Sequence, residues 1–457
     1  MNGAYLVVAV LIGQVPASDP MALVTQLGAA RYAEREAAAA ALGRLGRAAL
    51  PALRSVRDVK DREIRTRASA LITKIEGALL TKPSMVKLDF QDKPLTEVVR
   101  SFSDQTGIKM AIYPEQAAGL HQKNVTLTEA EPLPFWQALD RLCEAGQLQY
   151  NFGMHGMPNA REPVFPLFFG MGRLSGPVSD QGPFRVNLVG LHYQRHVQFV
   201  PGGQPIVSNR AGLAANPPVA NNPRRPAHSV TEEFYAQIQI AAEPRLSLTQ
   251  TGNLKLVEAI DDRGQSLLVI EKDKSSTQRH SAYFGLTAGP SLHLQAPLQR
   301  PEQPGQEIRR LRGVLPVVVA TRKGDPLVVP LNGATGKSFH NDETTLEVQE
   351  IRANPNMNQT TIQILVRPNR DSGGEADRLA SLPTSLGRRN DAQQQQLDVL
   401  DGQGRSIPWY LSNDGEGVRM TLTLTPHDQG APTEIRYYSV VRAATEVSFE
   451  FHDIPLP

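Results

Sequence analysis

The sequence predicts a multidomain α+β protein, and three changes of pattern along its 457 residues indicate this class. Residues 21–80 are rich in alanine, with apolar residues at helical spacing. Residues 84–152 alternate short strands with two amphipathic helices. From about residue 161, proline and glycine become dense and alternating strands replace the helix signals. At about 150 residues per domain, the length suggests roughly three domains.

Residues 1–17 resemble a secretory signal peptide. An apolar run over 6–12 precedes Val15-Pro16-Ala17, which is similar to a signal-peptidase site. The run is shorter than the ~20 residues that span a bilayer. It departs from the pattern because residues 1–5 contain no Lys or Arg, so a buried N-terminal strand or a late start codon is the alternative. The resemblance implies a periplasmic or secreted protein of the cell envelope.

The helical segment 21–80 contains three predicted helices. The first covers 32–45 and ends at Gly46, the second carries Pro51 in its first turn, and Asp61 caps the third. This order resembles HEAT-type α-solenoid repeats, which implies that the segment packs against another domain or serves as a cap that faces a partner. A small helical bundle without a binding role is the alternative.

Residues 84–152 read as a small α+β module. An alternating strand over 86–90 leads into a helix that starts at Pro94 and ends at Gly107, and a second helix starts at Pro134. Strands over 108–112 and 125–127, with a last one from 148 to 152, complete the predicted sheet.

The order and spacing of this module resemble the short N-terminal domain of secretins and TonB-dependent receptors. The segments that carry the resemblance are LDFQDKPLTEVV, QTGIKMAIYPE and VTLTEAEPLPFWQALDRLC. The resemblance implies a periplasmic docking module that binds protein partners and brings no catalytic residue. The sequence after the module does not predict a β-barrel, so the resemblance does not extend to a receptor or a pore.

Residues 161–457 contain a weak internal repeat. The run 257–264 parallels 397–404, and both read as a strand followed by an Asp-led turn, with Gly264 or Gly404 at a position that needs a positive φ. Two antiparallel β-sandwiches of common ancestry, 161–325 and 327–457, are predicted. One elongated β-domain is the alternative.

Two long polar stretches interrupt the β half. Residues 201–229 are rich in Pro, Asn, Gly and Arg, and residues 369–396 end in a glutamine run. Their composition predicts a mobile insertion in the first sandwich and a polar loop in the second. Solvated insertions are the favoured reading, and binding loops are the alternative.

The sequence predicts neither a cofactor nor a metal site. His192 and His196 lie four apart in a predicted strand, about 13 Å at ~3.3 Å per residue, which is too far to share one ion. Cys143 is the single cysteine, so an intrachain disulfide is excluded, and its apolar neighbours indicate a core residue. The net charge of +2 and the few aromatic residues argue against nucleic acid as a partner.

Three residues are candidates for partner binding. Arg310 and Arg312 alternate on one face of a predicted strand, where they could meet an acidic partner, although a solvated face is the simpler reading. Trp409, next to Tyr410, could bind a glycan, although core packing is the stronger reading.

The function expected from these patterns is that of an exported, non-enzymatic interaction or scaffold protein with protein partners in a bacterial cell envelope. A carbohydrate-binding or carbohydrate-acting protein that uses the tandem β-sandwiches is the first alternative. A structural surface or stalk component is the second.

Overall fold

A computed structural model shows a chain that is mostly β-sheet with few helices, in several largely antiparallel sheets, which agrees with the predicted α+β class. The residues that it describes are 19–56, 59, 61–114, 123–150, 164–170, 176–199, 228–269, 291–341, 343–354, 356, 358–369, 396–413, 419–425 and 430–457. The predicted signal peptide, and nearly all of the two predicted polar stretches, lie outside these residues. None of the helices in the described part is both long and apolar enough to span a bilayer.

The described chain divides into two compact units. The first contains the described residues up to Lys82 together with Val441–Ala443, and the second contains Pro83–Val440 and Ala444–Pro457. The helices of the first unit are α1 (Pro20–Gln26), α2 (Tyr32–Leu45), α3 (Leu50–Ser55) and α4 (Arg62–Leu80), with a 3-10 turn at Gly46–Ala49 between α2 and α3.

In the first unit, the end of α2 and the start of α4 lie where the sequence predicts them. Gly46 takes a φ of 57° and ends α2, and the Asp61 side chain accepts hydrogen bonds from the backbone N–H of Glu63 and Ile64 at the start of α4. The helices enclose one apolar cluster, which includes Leu27, Leu42 and Leu53.

The second unit begins with the α+β module. Its elements are β1 (Met85–Val86), β2 (Asp89–Pro94), α5 (Leu95–Thr106), β3 (Met110–Tyr113), β4 (Asn124–Thr128), β5 (Leu133–Pro134), α6 (Phe135–Gly146), β6 (Leu148–Tyr150) and β7 (Phe165–Phe169). Helix α5 ends at Gly107, which has the expected left-handed conformation. The strand predicted over 86–90 is two short strands, because β1 pairs with β5 whereas β2 pairs with β4.

The module extends further than its predicted boundary at residue 152. Strand β7 lies between β3 and β6 in one sheet, parallel to β3 and antiparallel to β6. Phe165 and Leu167 of β7 belong to the same apolar cluster as Phe102, Phe135 and Trp136. The prediction that the first β-sandwich starts at residue 161 is therefore wrong. An apolar strand this short carries no signal for the sheet it joins.

The first β region contains two sheets. Its strands are β8 (Val178–Gln181), β9 (Phe184–Phe199), β10 (His228–Ala242), β11 (Ser247–Gln250), β12 (Lys255–Asp261), β13 (Ser291–Pro297) and β14 (Glu307–Arg322). One sheet has the order β13-β10-β9-β8, and in the other β14 pairs with both β11 and β12.

The second β region also contains two sheets. Its strands are β15 (Leu327–Pro330), β16 (Lys337–His340), β17 (Thr344–Asn354), β18 (Gln359–Pro368), β19 (Leu397–Asp401), β20 (Trp409–Asn413), β21 (Arg419–Leu424) and β22 (Pro432–Tyr437). The sheets have the orders β15-β22-β19 and β16-β17-β18-β21-β20. One apolar cluster joins them, with Val329 and Ile435 from the first sheet and Val348 and Ile364 from the second.

The last strand, β23 (Val440–Pro455), pairs with β14 of the first β region. The predicted boundaries assign residues 327–457 to the second sandwich, so this part of the prediction is wrong. Strand pairing between segments far apart in sequence leaves no local pattern that could assign β23 to a sheet.

The two Asp-led turns of the internal repeat have the same geometry. Gly264 and Gly404 have φ values of 78° and 74°, and each donates its N–H to the carbonyl oxygen of Asp261 or Asp401, at 3.0 Å in both turns. Both aspartates are buried. Leu267 then pairs back to the strand through the Ala259 carbonyl, as Ile407 does through Val399.

Each buried carboxylate accepts three backbone N–H groups. Asp261 accepts from Arg263, Gln265 and Gly305, and Asp401 accepts from the corresponding Gln403, Arg405 and Gly430. Burial alone would raise the pKa of Asp401, but these donors and the Arg405 guanidinium lower it to about 2. The carboxylates hold the turn against the loop that leads into β14 or β22.

We expect Asp261→Ala and Asp401→Ala to lower the thermal midpoint by several degrees each and by similar amounts, because each leaves three backbone donors without their acceptor. Differential scanning calorimetry of the full chain measures both shifts. Asp325→Ala, in an exposed turn, is the control and should shift the midpoint little. A small effect at one of the two aspartates would contradict their equivalence.

Candidate interaction surfaces

The structure places Arg310 and Arg312 on one face of β14, as the alternation predicts, and adds two glutamates to that face. Glu258 of β12 lies 3.6 Å from Arg310 and 3.4 Å from Arg312, and Glu450 of β23 lies 3.1 Å and 3.4 Å from them. His452 Nε2 contacts Glu450 at 3.0 Å. Two arginines and two glutamates cancel in charge, so this face is an ion-pair ladder across three strands rather than a basic patch.

Trp409 and Tyr410 do not form a common aromatic surface. Trp409 packs against the apolar cluster of the second β region, whereas Tyr410 is 47 % exposed. Consecutive residues of a strand point to opposite faces, and the Tyr410 hydroxyl accepts a hydrogen bond from Gln359 at 2.9 Å. The carbohydrate alternative is therefore left without the exposed aromatic pair that it would need on β20.

The other residues singled out in the sequence have structural surroundings. Burial raises the pKa of the Cys143 thiol to about 12, so this thiol is not an activated nucleophile. His192 stacks on Tyr235 within the β9–β10 pair. Within the described ranges, no three His, Cys, Asp or Glu side chains come together as metal ligands would.

A buried arginine joins the module to the first β region. Arg185 on β9 is 2 % exposed, and its guanidinium donates to both oxygens of Asp140 on α6, at 2.7 and 2.9 Å. It also donates to both oxygens of Asp180 at 2.7 Å and to the Tyr150 hydroxyl at 2.6 Å. The Trp136 ring lies 5.2 Å from its Cζ, and Trp136 donates its indole N–H to the Pro183 carbonyl.

The two carboxylates keep Arg185 charged in this buried position. Burial acts against its charge, but the hydrogen bonds that it donates to Asp180 and Asp140 raise the pKa of the guanidinium. Burial raises the pKa of the Tyr150 phenol, although Arg185 acts in the opposite direction. With two carboxylate partners and a phenol, this arginine meets the condition under which a buried charge is tolerated.

A second buried charge fastens the start of the module. Glu243, at the end of β10, is fully buried and accepts hydrogen bonds from the Ser84 N–H at 2.7 Å and the Ser84 hydroxyl at 2.6 Å. Arg245 donates to the same carboxylate at 2.7 Å. Ala241, beside Glu243, belongs to the apolar cluster of the module. The module therefore shares an apolar core with β10, and two buried charges, Arg185 on β9 and Glu243 after β10, contact it.

The fastened module presents the outer sides of its helices to solvent. The exposed residues of α5 include Glu97, Arg100 and Asp104, and those of α6 include Arg141 and Glu144. Both signs of charge are interspersed on this surface. The sequence predicted these helices, but not the residues that hold them against β9 and β10. The one available signal was Arg185 itself, a charged residue between the apolar Phe184 and Val186.

Comparison with known proteins gives no further assignment. No family model, curated protein or solved structure matches this chain.

We expect Arg185→Met to destabilise the chain by about 3–5 kcal/mol, because it leaves Asp140 and Asp180 as uncompensated carboxylates in a partly buried site. Urea unfolding followed by tryptophan fluorescence reports on the site through Trp136. The matched control is Arg195→Met, which removes an exposed pair with Glu232 at 3.2 Å and should change the unfolding free energy by less than about 1 kcal/mol. Equal losses in the two variants would contradict the buried role of Arg185.

Proposed function

We propose that this protein is exported to a bacterial cell envelope and acts there as a non-enzymatic interaction or scaffold protein, with the α+β module as its docking unit. The signal-peptide-like residues 1–17 support export. The resemblance of 84–152 to the short N-terminal domain of secretins and TonB-dependent receptors supports a protein partner in the envelope.

The observation that carries the proposal is the way in which the module is attached. Arg185 and Glu243 are buried, fully engaged charges that connect it to β9 and β10, and the Trp136 indole adds a further hydrogen bond. A module held in this way is ordered before any partner arrives, so binding would not incur the entropy loss of ordering it. A spacer without a binding role has no need of such a rigid attachment.

The mixed-charge outer surface of α5 is the proposed contact. Glu97 and Arg100 are exposed, and among the ion pairs described the Glu97 carboxylate pairs only with the half-exposed Lys93 at the end of β2, at 3.1 Å. Exposed charges of this kind steer a partner of complementary pattern and set its register.

The proposal is tested with the tagged full chain in its source cell. Fractionation is expected to place it in the envelope fraction, and crosslinking there is expected to capture one recurrent protein partner. The double variant Glu97→Arg/Arg100→Glu keeps the net charge and should reduce this capture at least about tenfold, since misplaced charges cost more than ~1.4 kcal/mol at a specific contact.

The control for this experiment is Glu302→Arg/Lys337→Glu, which also keeps the net charge and changes exposed residues of the β regions. It should leave the capture unchanged. A protein retained in the cytoplasm, or a capture equally sensitive to both double variants, would overturn the proposal.

A further inference from the structure

Strand β14 is paired along both of its edges. On one edge it pairs with β11 and β12, with Ser247 opposite Ala320 and Lys255 opposite Val314. Strand β23 pairs with β14 as well. Because Arg310 and Arg312 each contact Glu258 of β12 and Glu450 of β23, β23 must lie along the other edge.

The second β region shows which strand would pair with this edge of β14 if the first region supplied the strand from its own stretch of sequence. The two Asp-led turns make β12 equivalent to β19, and β14 equivalent to β22. On β22, Ile435 lies opposite both Val399 of β19 and Val329 of β15, so β19 and β15 take the two edges. Strand β23 therefore takes in the first region the place that β15 takes in the second.

The two regions obtain this strand differently. Strand β15 directly precedes the rest of its own region, from β16 onward. In the first region, the described strand before β8 is β7, which lies in the module's sheet. The place on β14 is filled instead by residues 444–457, which follow the whole second β region in the chain.

The groove that holds residues 444–457 is shaped for their sequence. Val447, Phe449 and Phe451 alternate and are buried. Gly313 makes room for the Phe449 ring, since a Cβ at Gly313 would lie 2.4 Å from Phe449 Cζ. Residues 444–457 also contact β8. Ser448 donates its N–H and its hydroxyl to Gln181 Oε1 of β8, at 2.6 and 3.0 Å.

Partly exposed ion pairs hold the place where β14 meets the second region. Arg322 contacts Asp398 at 2.9 Å, and Lys323 contacts Glu343, with 25–36 % of each of the four side chains exposed. The Arg322 guanidinium also lies 4.6 Å from the Tyr438 ring, and Lys323 donates its backbone N–H to the Ser439 carbonyl at 2.8 Å. These contacts lie outside the groove. The contacts that residues 444–457 make in the groove with β14 and β8 are the same whichever copy of the chain supplies the strand.

We propose that residues 444–457 are an exchangeable strand, and that the groove between β14 and β8 binds this strand from a second copy of the chain. Every copy carries both the groove and the segment that fits it, and exchange reproduces the same contacts between two chains at little cost in free energy. The proposal concerns self-association, and it does not depend on the docking function of the module.

The test uses two full-length copies with different tags, one carrying Gln181→Cys and the other Ser448→Cys, co-expressed and purified through both tags. Both positions are exposed, so folding should be retained. A short bifunctional thiol reagent is then added, and the linked peptides are identified by mass spectrometry. A 181–448 link between two differently tagged chains requires that the strand of one copy lies in the groove of the other.

The expected result is a 181–448 linked heterodimer, at least about tenfold more abundant than the product of a collision control that pairs Ser448→Cys with Val328→Cys, because a paired strand raises the effective thiol concentration to the millimolar range. Adding Phe449→Ala to the Ser448→Cys copy should reduce the heterodimer. A single copy that carries both cysteines shows that the link can form within one chain. A link in that copy, with no heterodimer above the collision control, would overturn the proposal.

Discussion

Strand β14 is the element on which the arrangement of the β half depends. Its residues Leu311, Leu315, Val317 and Val319 are buried, while its outward face carries Arg310 and Arg312. One of its edges is occupied by β11 and β12 and the other by β23, so neither the first region nor the last strand could form its sheet without it. An unpaired edge at this strand would leave a row of backbone N–H and carbonyl groups open to other chains.

Buried and exposed charges have different roles in this chain. Arg185, Glu243, Asp261 and Asp401 are buried, and each has several hydrogen bonds, at least one of them to a distant segment of the chain. They fix which segment lies against which, because a buried charge tolerates only the arrangement that satisfies it. The exposed ladder around Arg310 adds little to stability, but it cancels the charge of an outer face that would otherwise be basic.

Local features could be predicted from the sequence, whereas pairings between distant segments could not. The ends of α2 and α5, the cap at Asp61 and the two Asp-led turns were predicted correctly, because each depends on residues within one turn of each other. The sheets that β7 and β23 join were not predicted, since the residues of a strand do not indicate which distant strand it will pair with. Of the candidate site, the shared face of Arg310 and Arg312 was predictable. Their neutralisation by Glu450 was not, because nothing near Glu450 indicates its place.

The position of β23 in the chain sets an order of folding. The described strands of the second β region, β15 to β22, follow one another in one stretch of the chain, so this region can close as soon as that stretch has been synthesised. The first region is synthesised earlier but must wait for residues 444–457, with one edge of β14 open in the meantime. Non-local strand pairings of this kind form slowly and leave hydrophobic surface exposed before they form. The first β region would therefore complete its fold after the second, although it is synthesised earlier.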